Sequence, residues 1–417
     1  MRWQSRSVAV YGTWPTVGLL ATLGAGGVRA QEVVDLPAED LPLAVNLEPV
    51  YRIGSAMARS GWEQFTAVQH IGFDRTGNLY ILDAPGPDAG TRVVIVDPAG
   101  RHVKDFGRQG EGPGEFQWPR RMVVWADGRT LIEDVLHMGS HLFGPEGDFE
   151  RMVRGAVGPN LRPDPVDAGT VVGVSWRRED QGRRAIIRFD LSSGEVSERT
   201  VVEAWVPQPW AEARGAPVTL EDFVGEEWGF EPALLFDVLP SGGIVFADSS
   251  AYAVKLTDRS GVATRILRRP IPPLRATEAI KRAERDRRLE EQAWNRRTTS
   301  EGGGEPTAEM EALTRAMAEA RKAAVENMQF FPEVPVIAAL HATWDGTLWV
   351  QRSTAPDVTE SGAIDVISAD GRYIGTFPRG SLVMPDAFGP DGLVAFIETD
   401  ELDVPVITVR RLPVEVR

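Results

Sequence analysis

The stretch Phe65-Thr-Ala-Val-Gln-His-Ile-Gly-Phe-Asp-Arg-Thr-Gly77-Asn-Leu-Tyr-Ile-Leu-Asp83 returns, altered, as Phe116-Gln-Trp-Pro-Arg-Arg-Met-Val-Val-Trp-Ala-Asp-Gly128-Arg-Thr-Leu-Ile-Glu-Asp134. Its Phe, Gly and Asp positions match without a gap, each 51 residues further on. Both copies read as strand, tight Gly turn, strand, because Gly supplies the positive φ that a sharp reversal needs. A second hairpin follows each: Arg92-Val-Val-Ile-Val-Asp97-Pro-Ala-Gly100 in the first copy and His141-Leu-Phe-Gly-Pro-Glu-Gly147 in the second.

The pattern recurs four more times. Gly169 with Ala185 to Gly194, Gly242 with Ala253 to Gly261, Asp345-Gly346 with Ile364 to Gly371, and Asp391-Gly392 with Val406 to Leu412 complete six units. Four short strands per unit at a period of roughly 40–50 residues is the arithmetic of a propeller blade. A lone four-stranded sheet leaves both faces wet, whereas blades stacked around an axis cover one another. The expected fold is all-β: a six-bladed β-propeller of four-stranded antiparallel blades over residues 47–415. The sixth unit lacks an outer strand, and Leu47-Glu-Pro-Val-Tyr-Arg-Ile53 is free to supply it, closing the ring between the two ends and removing a sheet edge.

The junction Asp105-Phe-Gly-Arg-Gln-Gly-Glu-Gly-Pro-Gly-Glu-Phe116-Gln-Trp-Pro119 resembles the joint between successive NHL repeats, an outer strand and a Gly-rich loop before Phe and Pro open the next inner strand. Phe331-Pro-Glu-Val-Pro335 through Asp345-Gly-Thr-Leu-Trp-Val350 is similar to a segment of bacterial exported propellers of the TolB-like and NHL-like kind. The resemblance covers roughly residues 47–412. It implies the fold and an exported bacterial protein, while propellers host enzymes, receptors and scaffolds alike.

Two segments interrupt the repeat. Residues 202–232 hold Trp205, Trp210 and Trp228 with the acidic pairs Glu221-Asp222 and Glu226-Glu227, and read as a long loop whose Trp side chains pack on the propeller face or, alternatively, as a binding loop with aromatic anchors. Residues 273–329 change composition. Thr277 to Arg296 and Thr307 to Met328 lack Gly and Pro, and Met310, Leu313, Met317, Ala320 and Ala324 form one helical stripe. They predict an α-helical hairpin inserted between blades four and five, with Arg285-Asp-Arg-Arg288 on a solvated face.

Residues 1–30 read as a signal peptide: Arg2 and Arg6, an uncharged apolar run from Val8 to Gly27, then Val28-Arg29-Ala30 before Gln31. Residues 31–46 form an N-terminal extension. The expected place is therefore periplasmic or extracellular, with no membrane span after cleavage. The formal charge of −15 becomes about −18 without the signal, which disfavours nucleic acid. The absence of Cys excludes disulfides, thiol nucleophiles and Cys-ligated zinc.

Catalytic motifs are lacking. No Gly-x-Ser-x-Gly elbow is present. His137 and His141 have i, i+4 spacing, but Met138 stands where a zinc hydrolase helix carries Glu, and Gly139 marks a loop between strands. The expectation is no metal and no cofactor. Lactonase-type propellers imply Glu, Asn and Asp ligands, for which only Asn160 is near an inner strand, and NHL-scaffold lyases imply a His set that His70 and His341 are too few to fill.

Ligand sites of propellers lie at the channel mouth, so the inner strands name the candidates. Counting back from each turn Gly places Gln69 and His70 opposite Arg120 and Arg121, with Leu161 and Arg162 in unit three, Ala338 and Ala339 before His341 in unit five, and Met384 and Pro385 before Asp386 in unit six. Arg120, Arg121 and Arg162 near His70 would form a cationic pocket for a carboxylate, phosphate or sulfate. The competing expectation is that these Arg pair with strand-end acids such as Asp83 and Asp134. Asp83, Asp134 and Asp248 recur at the same point of the repeat, which points to turn capping. The expected function is a non-enzymatic exported binding or scaffold propeller that recognises a protein, peptide or glycan in the bacterial envelope through one face or the hairpin. The alternative is a hydrolase or lyase at the channel mouth.

Overall fold

The structure, a computed structural model, describes residues 31–417 apart from 87–89, 156, 159, 176–183, 208–227 and 300–307. Six antiparallel sheets follow one another in the chain. The first runs Val68–Phe73, Leu79–Asp83, Arg92–Val96 and His102–Phe106, and the second Pro119–Val124, Thr130–Asp134, Gly139–Phe143 and Phe149–Arg154. The third to fifth begin with the strands Arg162–Pro163, Leu235–Val238 and Ile337–Ala342. The sixth takes Ala387–Phe388, Leu393–Thr399 and Pro405–Arg411 from the C-terminal end, and Glu48–Ile53 from the N-terminal end. That last strand pairs with Pro405–Arg411, Ile53 opposite Ile407. First strands of neighbouring blades meet one another, so they are the innermost.

Apolar residues collect between blades rather than in one central core. One cluster joins Tyr80, Leu82 and Val93 of blade one to Met122, Val124 and Ile132 of blade two. Another joins Leu393 and Val409 of blade six to Leu79 and Val94 of blade one, so burial continues across the ring closure. The alternation of each strand explains this arrangement: odd and even residues face opposite neighbours, and both neighbours are sheets.

The extension adds something the repeat did not announce. Glu32–Asp35 lies parallel to Ala263–Arg268 as a fifth strand on blade four. Residues 36–43 then cross to blade five, where Leu43 N donates to Thr376 O at 2.8 Å.

The inserted hairpin consists of helices Glu278–Thr299 and Ala308–Glu326 between blades four and five. Strands Leu274–Arg275 and Glu333–Val334 pair at its base. Of the predicted stripe Met317, Ala320 and Ala324 are half-buried and the side chains of Met310 and Leu313 lie outside those described, while Val325 and Met328 beyond it are buried. The charge run is less solvated than its composition suggests. Arg285 lies over the Phe330 ring at 4.8 Å, and Arg288 Nε donates to the buried Glu284 at 2.7 Å. Guanidinium groups cover aromatic faces with their planes and satisfy buried carboxylates with their edges. Of the 202–232 connection, Trp210 and both acidic pairs lie outside the described residues. Trp205 is about half exposed, and Trp228–Gly229 pairs with Gln329–Phe330 at the hairpin base.

Gly261, in the last hairpin of blade four, has φ +95°, and a Cβ there would stand 1.9 Å from the Val201 carbonyl oxygen of blade three. Backbone cannot yield as a side chain can. Gly261→Ala is expected to cost about 1–3 kcal/mol in urea unfolding. An unchanged midpoint would show that the blade three–four seam is loose.

Candidate functional site

Each blade brings an ionisable side chain to the inner ring. His70 comes from blade one, Arg120 and Arg121 from blade two, Arg162 from blade three, Asp237 from blade four and His341 from blade five. Asp386, from blade six, immediately precedes the inner strand Ala387–Phe388. Neighbours link up around the axis. Arg162 Nε is 3.4 Å from Asp237 Oδ1, and His341 Nδ1 is 3.3 Å from Asp237 Oδ2.

The inner strands of blades one, two and five share a bulge near their start, between Val68 and His70, Pro119 and Arg121, and Ile337 and Ala339. Gln69, Arg120 and Ala338 are the extra residues. A bulge twists its strand and re-aims the next side chain. His70 and Arg121 thereby keep matched places across the blade seam, while Arg120, the extra residue, is exposed, with its guanidinium 5.3 Å from the Trp118 ring.

The structure brings together four of the six expected residues in one electrostatic cluster. Burial, and then the positive charges of Arg121, Arg162 and Arg120, lower the His70 pKa to about 4. His70 is therefore a neutral imidazole near pH 7. Arg121 bonds to Glu133 at 2.5 Å, not to Asp134 as strand-end pairing would have it. The two residues face one another in register, whereas Asp134 is directed at backbone. Among the described residues no carboxylate pairs with Arg120. Three guanidinium groups thus face two carboxylates, Glu133 and Asp237, and a cationic excess remains beside a neutral ring.

His341 belongs to the opposite arc. Burial alone would raise the Asp237 pKa, but the hydrogen bond from His341 and the charges of Arg162 and His341 hold it below the usual carboxylate range. Asp386 is open to solvent yet hemmed in by protein, and this desolvation raises its carboxyl pKa. Gln69 takes no part in the contacts among these groups.

Asp237 and Glu133 escaped the sequence reading. Counting back seven or eight residues from the turn Gly located the start of each inner strand. Asp237 and His341 both lie five residues before theirs, Gly242 and Gly346, two positions further along. An acid within Leu235-Phe-Asp-Val238, just before a Gly turn, was the available signal.

The recurring Asp residues do cap. Asp83 Oδ1 accepts from the amides of Thr66 and Ala67, and Asp134 accepts from those of Gln117 and Trp118, 51 residues on in each case. In blade four Asp248 accepts from Trp205 N at 3.1 Å.

No protein-family model matches the chain, and no curated protein matches it. Among solved structures it is similar to a candidate exported protein of Bacteroides fragilis, at 10 % identity over 91 % of this chain and 99 % of that one, with a TM-score of 0.49. It is also similar to a member of the DUF4221 family from Bacteroides vulgatus, at 12 % identity over 88 % and 97 %, TM-score 0.46. Virginiamycin B lyase from Staphylococcus aureus gives 9 % identity over 82 % and 80 %, TM-score 0.35. None of these likenesses bears on the chemistry of the channel, which rests on this chain's own side chains.

Proposed function

We propose that the chain is an exported binding propeller that takes an anionic group of a protein, peptide or glycan at its channel mouth. The cationic excess of Arg120, Arg121 and Arg162 around a neutral His70 carries this reading. Guanidinium forks suit carboxylate, phosphate and sulfate, and a neutral imidazole donates a hydrogen bond without adding repulsion among the cations. Export is supported by the apolar segment before Gln31, and a resemblance to NHL-like and TolB-like propellers by the Asp105 to Pro119 junction and the segment from Phe331 to Val350. The helical hairpin offers a second surface for the same partner.

The test is a binding screen of acidic peptides and of uronic-acid and sulfated glycans, each paired with its neutral analogue. Exchanging both Arg120 and Arg162 for Gln is expected to weaken the best anionic ligand at least tenfold, about 1.4 kcal/mol or more. Equal affinity for the neutral analogue, or no loss in the double variant, would sink anion recognition.

A second reading has its own observation. Asp237 orients His341, and Asp386 nearby has a raised carboxyl pKa, which together make an acid–base set for a hydrolase or lyase. Turnover in the same screen that is lost in His341→Asn while ligand affinity is kept would favour it.

A further inference from the structure

Asp134, His137 and His141 come together in blade two, away from the inner ring. Asp134 ends the second strand, His137 lies in the turn after it, and His141 is on the third strand. Each offers a ligand atom, and the three atoms lie within 4.8 Å of one another. His137 Nδ1 is 3.1 Å from Asp134 Oδ2. Asp134 is fully buried and His141 is 2 % exposed. Both nitrogens of His141 and the Nε2 of His137 are buried without a hydrogen-bond partner. Stranding buried polar atoms is costly unless something else satisfies them.

The repeat shows what is missing. In blade one the capping Asp83 has Arg92 at 3.7 Å as its counter-charge. In blade four Lys255 Nζ is 2.7 Å from Asp248. Register gives His141 the place of Lys255: His141 faces Ile132, and Lys255 faces Phe246, each two residues before the capping Asp. Among the described residues no Lys or Arg pairs with Asp134. Two imidazoles stand there instead, with lone pairs rather than a fixed positive charge.

We propose that this cluster is a divalent transition-metal site, held by one carboxylate and two imidazoles, in which the ion supplies the counter-charge that Arg92 and Lys255 supply elsewhere. Imidazole and carboxylate ligands suit zinc, nickel, cobalt and copper rather than calcium or magnesium. The surroundings suit it too. His141 is ringed by Phe116, Phe143 and Phe149, with centroids 5.7 to 6.5 Å away, a low-dielectric wall that strengthens ion–ligand attraction. His137 keeps 15 % of its side chain exposed, which leaves an entry. Ligand atoms on one tetrahedral ion are roughly 3.3 Å apart for the usual bond lengths, so a small rotation of His137 in its turn completes the set. No helix is needed: the sequence expectation of no metal followed from the missing helical motif, and a strand–turn–strand brings the same residues together.

The test uses the untagged chain from Gln31 onward, stripped with chelator, then titrated with zinc and cobalt by calorimetry and visible spectroscopy. One equivalent of zinc is expected to bind at micromolar affinity or better, raise the unfolding temperature, and displace cobalt from an intense visible band. His137→Ala, at the exposed turn, should weaken zinc at least tenfold. His141→Phe, matched to the aromatic wall, should do the same. Wild-type binding no tighter than that of the His137→Ala/His141→Phe chain would overturn the proposal, as would retained stoichiometric binding by that variant. His137→Ala alone keeps the test valid if His141→Phe does not fold.

Discussion

Exchanging Arg269 for Ala is expected to destabilise the fold by about 3–5 kcal/mol, the usual loss when one partner of a buried ion pair goes. Arg269 follows the outer strand of blade four, and its side chain is wholly buried. Nη1 donates to Asp365 Oδ1 of blade five at 2.8 Å, and Asp365 is wholly buried as well. Nε donates to Pro37 O, while Nη2 donates to Glu39 O and Asp40 Oδ1. The guanidinium also lies 4.5 Å from the Tyr373 ring. One side chain therefore ties two blades and the N-terminal extension together. Without it Asp365 keeps a buried charge supported by the Thr376 hydroxyl and by Arg352 at 3.7 Å. The buried carboxylate left with only these weaker partners, more than the lost bonds, sets the size of the effect. Two consequences separate this account from simple loss of packing. Arg269→Met/Asp365→Leu should recover most of the loss, since an apolar pair of similar volume is close to neutral there. The extension should also become sensitive to protease in Arg269→Ala. Urea midpoints at constant m give the comparison. A loss below 1 kcal/mol, or a double variant no better than the single, would show that Arg269 is not the clasp.

That clasp was beyond the reach of sequence reading, and the reason is physical. Phe65, Gly77 and Asp83 repeat as Phe116, Gly128 and Asp134 because both blades need the same turn and the same capped strand entry, so local constraints print themselves in the chain at a fixed period. The ring closure by residues 48–53 was legible for a related reason: the sixth unit was one strand short, and an unpaired edge demands a partner. Arg269 meets Asp40 and Asp365 across 229 and 96 residues, and no local rule links such positions. The channel mouth stands between these cases. His70, Arg120, Arg121 and Arg162 could be found because the repeat fixes which residues share the inner ring. Asp237 belongs to the same ring but lies two positions further along its strand, in regular register with Val245, so a count of seven or eight from the Gly turn passes it by. Asp134, His137 and His141 meet through a strand–turn–strand, a closeness that a search for helical i, i+4 spacing does not reveal.

Stability is expected to fall by about 3 kcal/mol through His70 alone as the pH drops from 6.5 to 4. The unfolded imidazole titrates near its ordinary 6.5, and the folded one near 4, held down by burial and then by Arg121, Arg162 and Arg120. Between those values the unfolded chain binds a proton that the folded chain refuses, so acid favours unfolding. The contribution is complete above pH 6.5, declines through the interval, and is gone below 4. At 1.36 kcal/mol per pKa unit the gap gives the figure of about 3 kcal/mol. His70→Asn should remove that part of the pH slope and leave the part due to His141, whose pKa burial and then His137 also lower. Urea midpoints of both proteins from pH 4 to 7 decide the matter, and parallel curves would show that His70 is not held neutral. The same field ties protonation to ligand. An anion seated among Arg120, Arg121 and Arg162 cancels part of the repulsion and raises the His70 pKa, so binding draws in a proton at pH values just above 4. Affinity for an anionic ligand should then strengthen on acidification in that window for the wild type, and not for His70→Asn. A propeller that only happened to expose three Arg side chains would show no such difference between the two proteins.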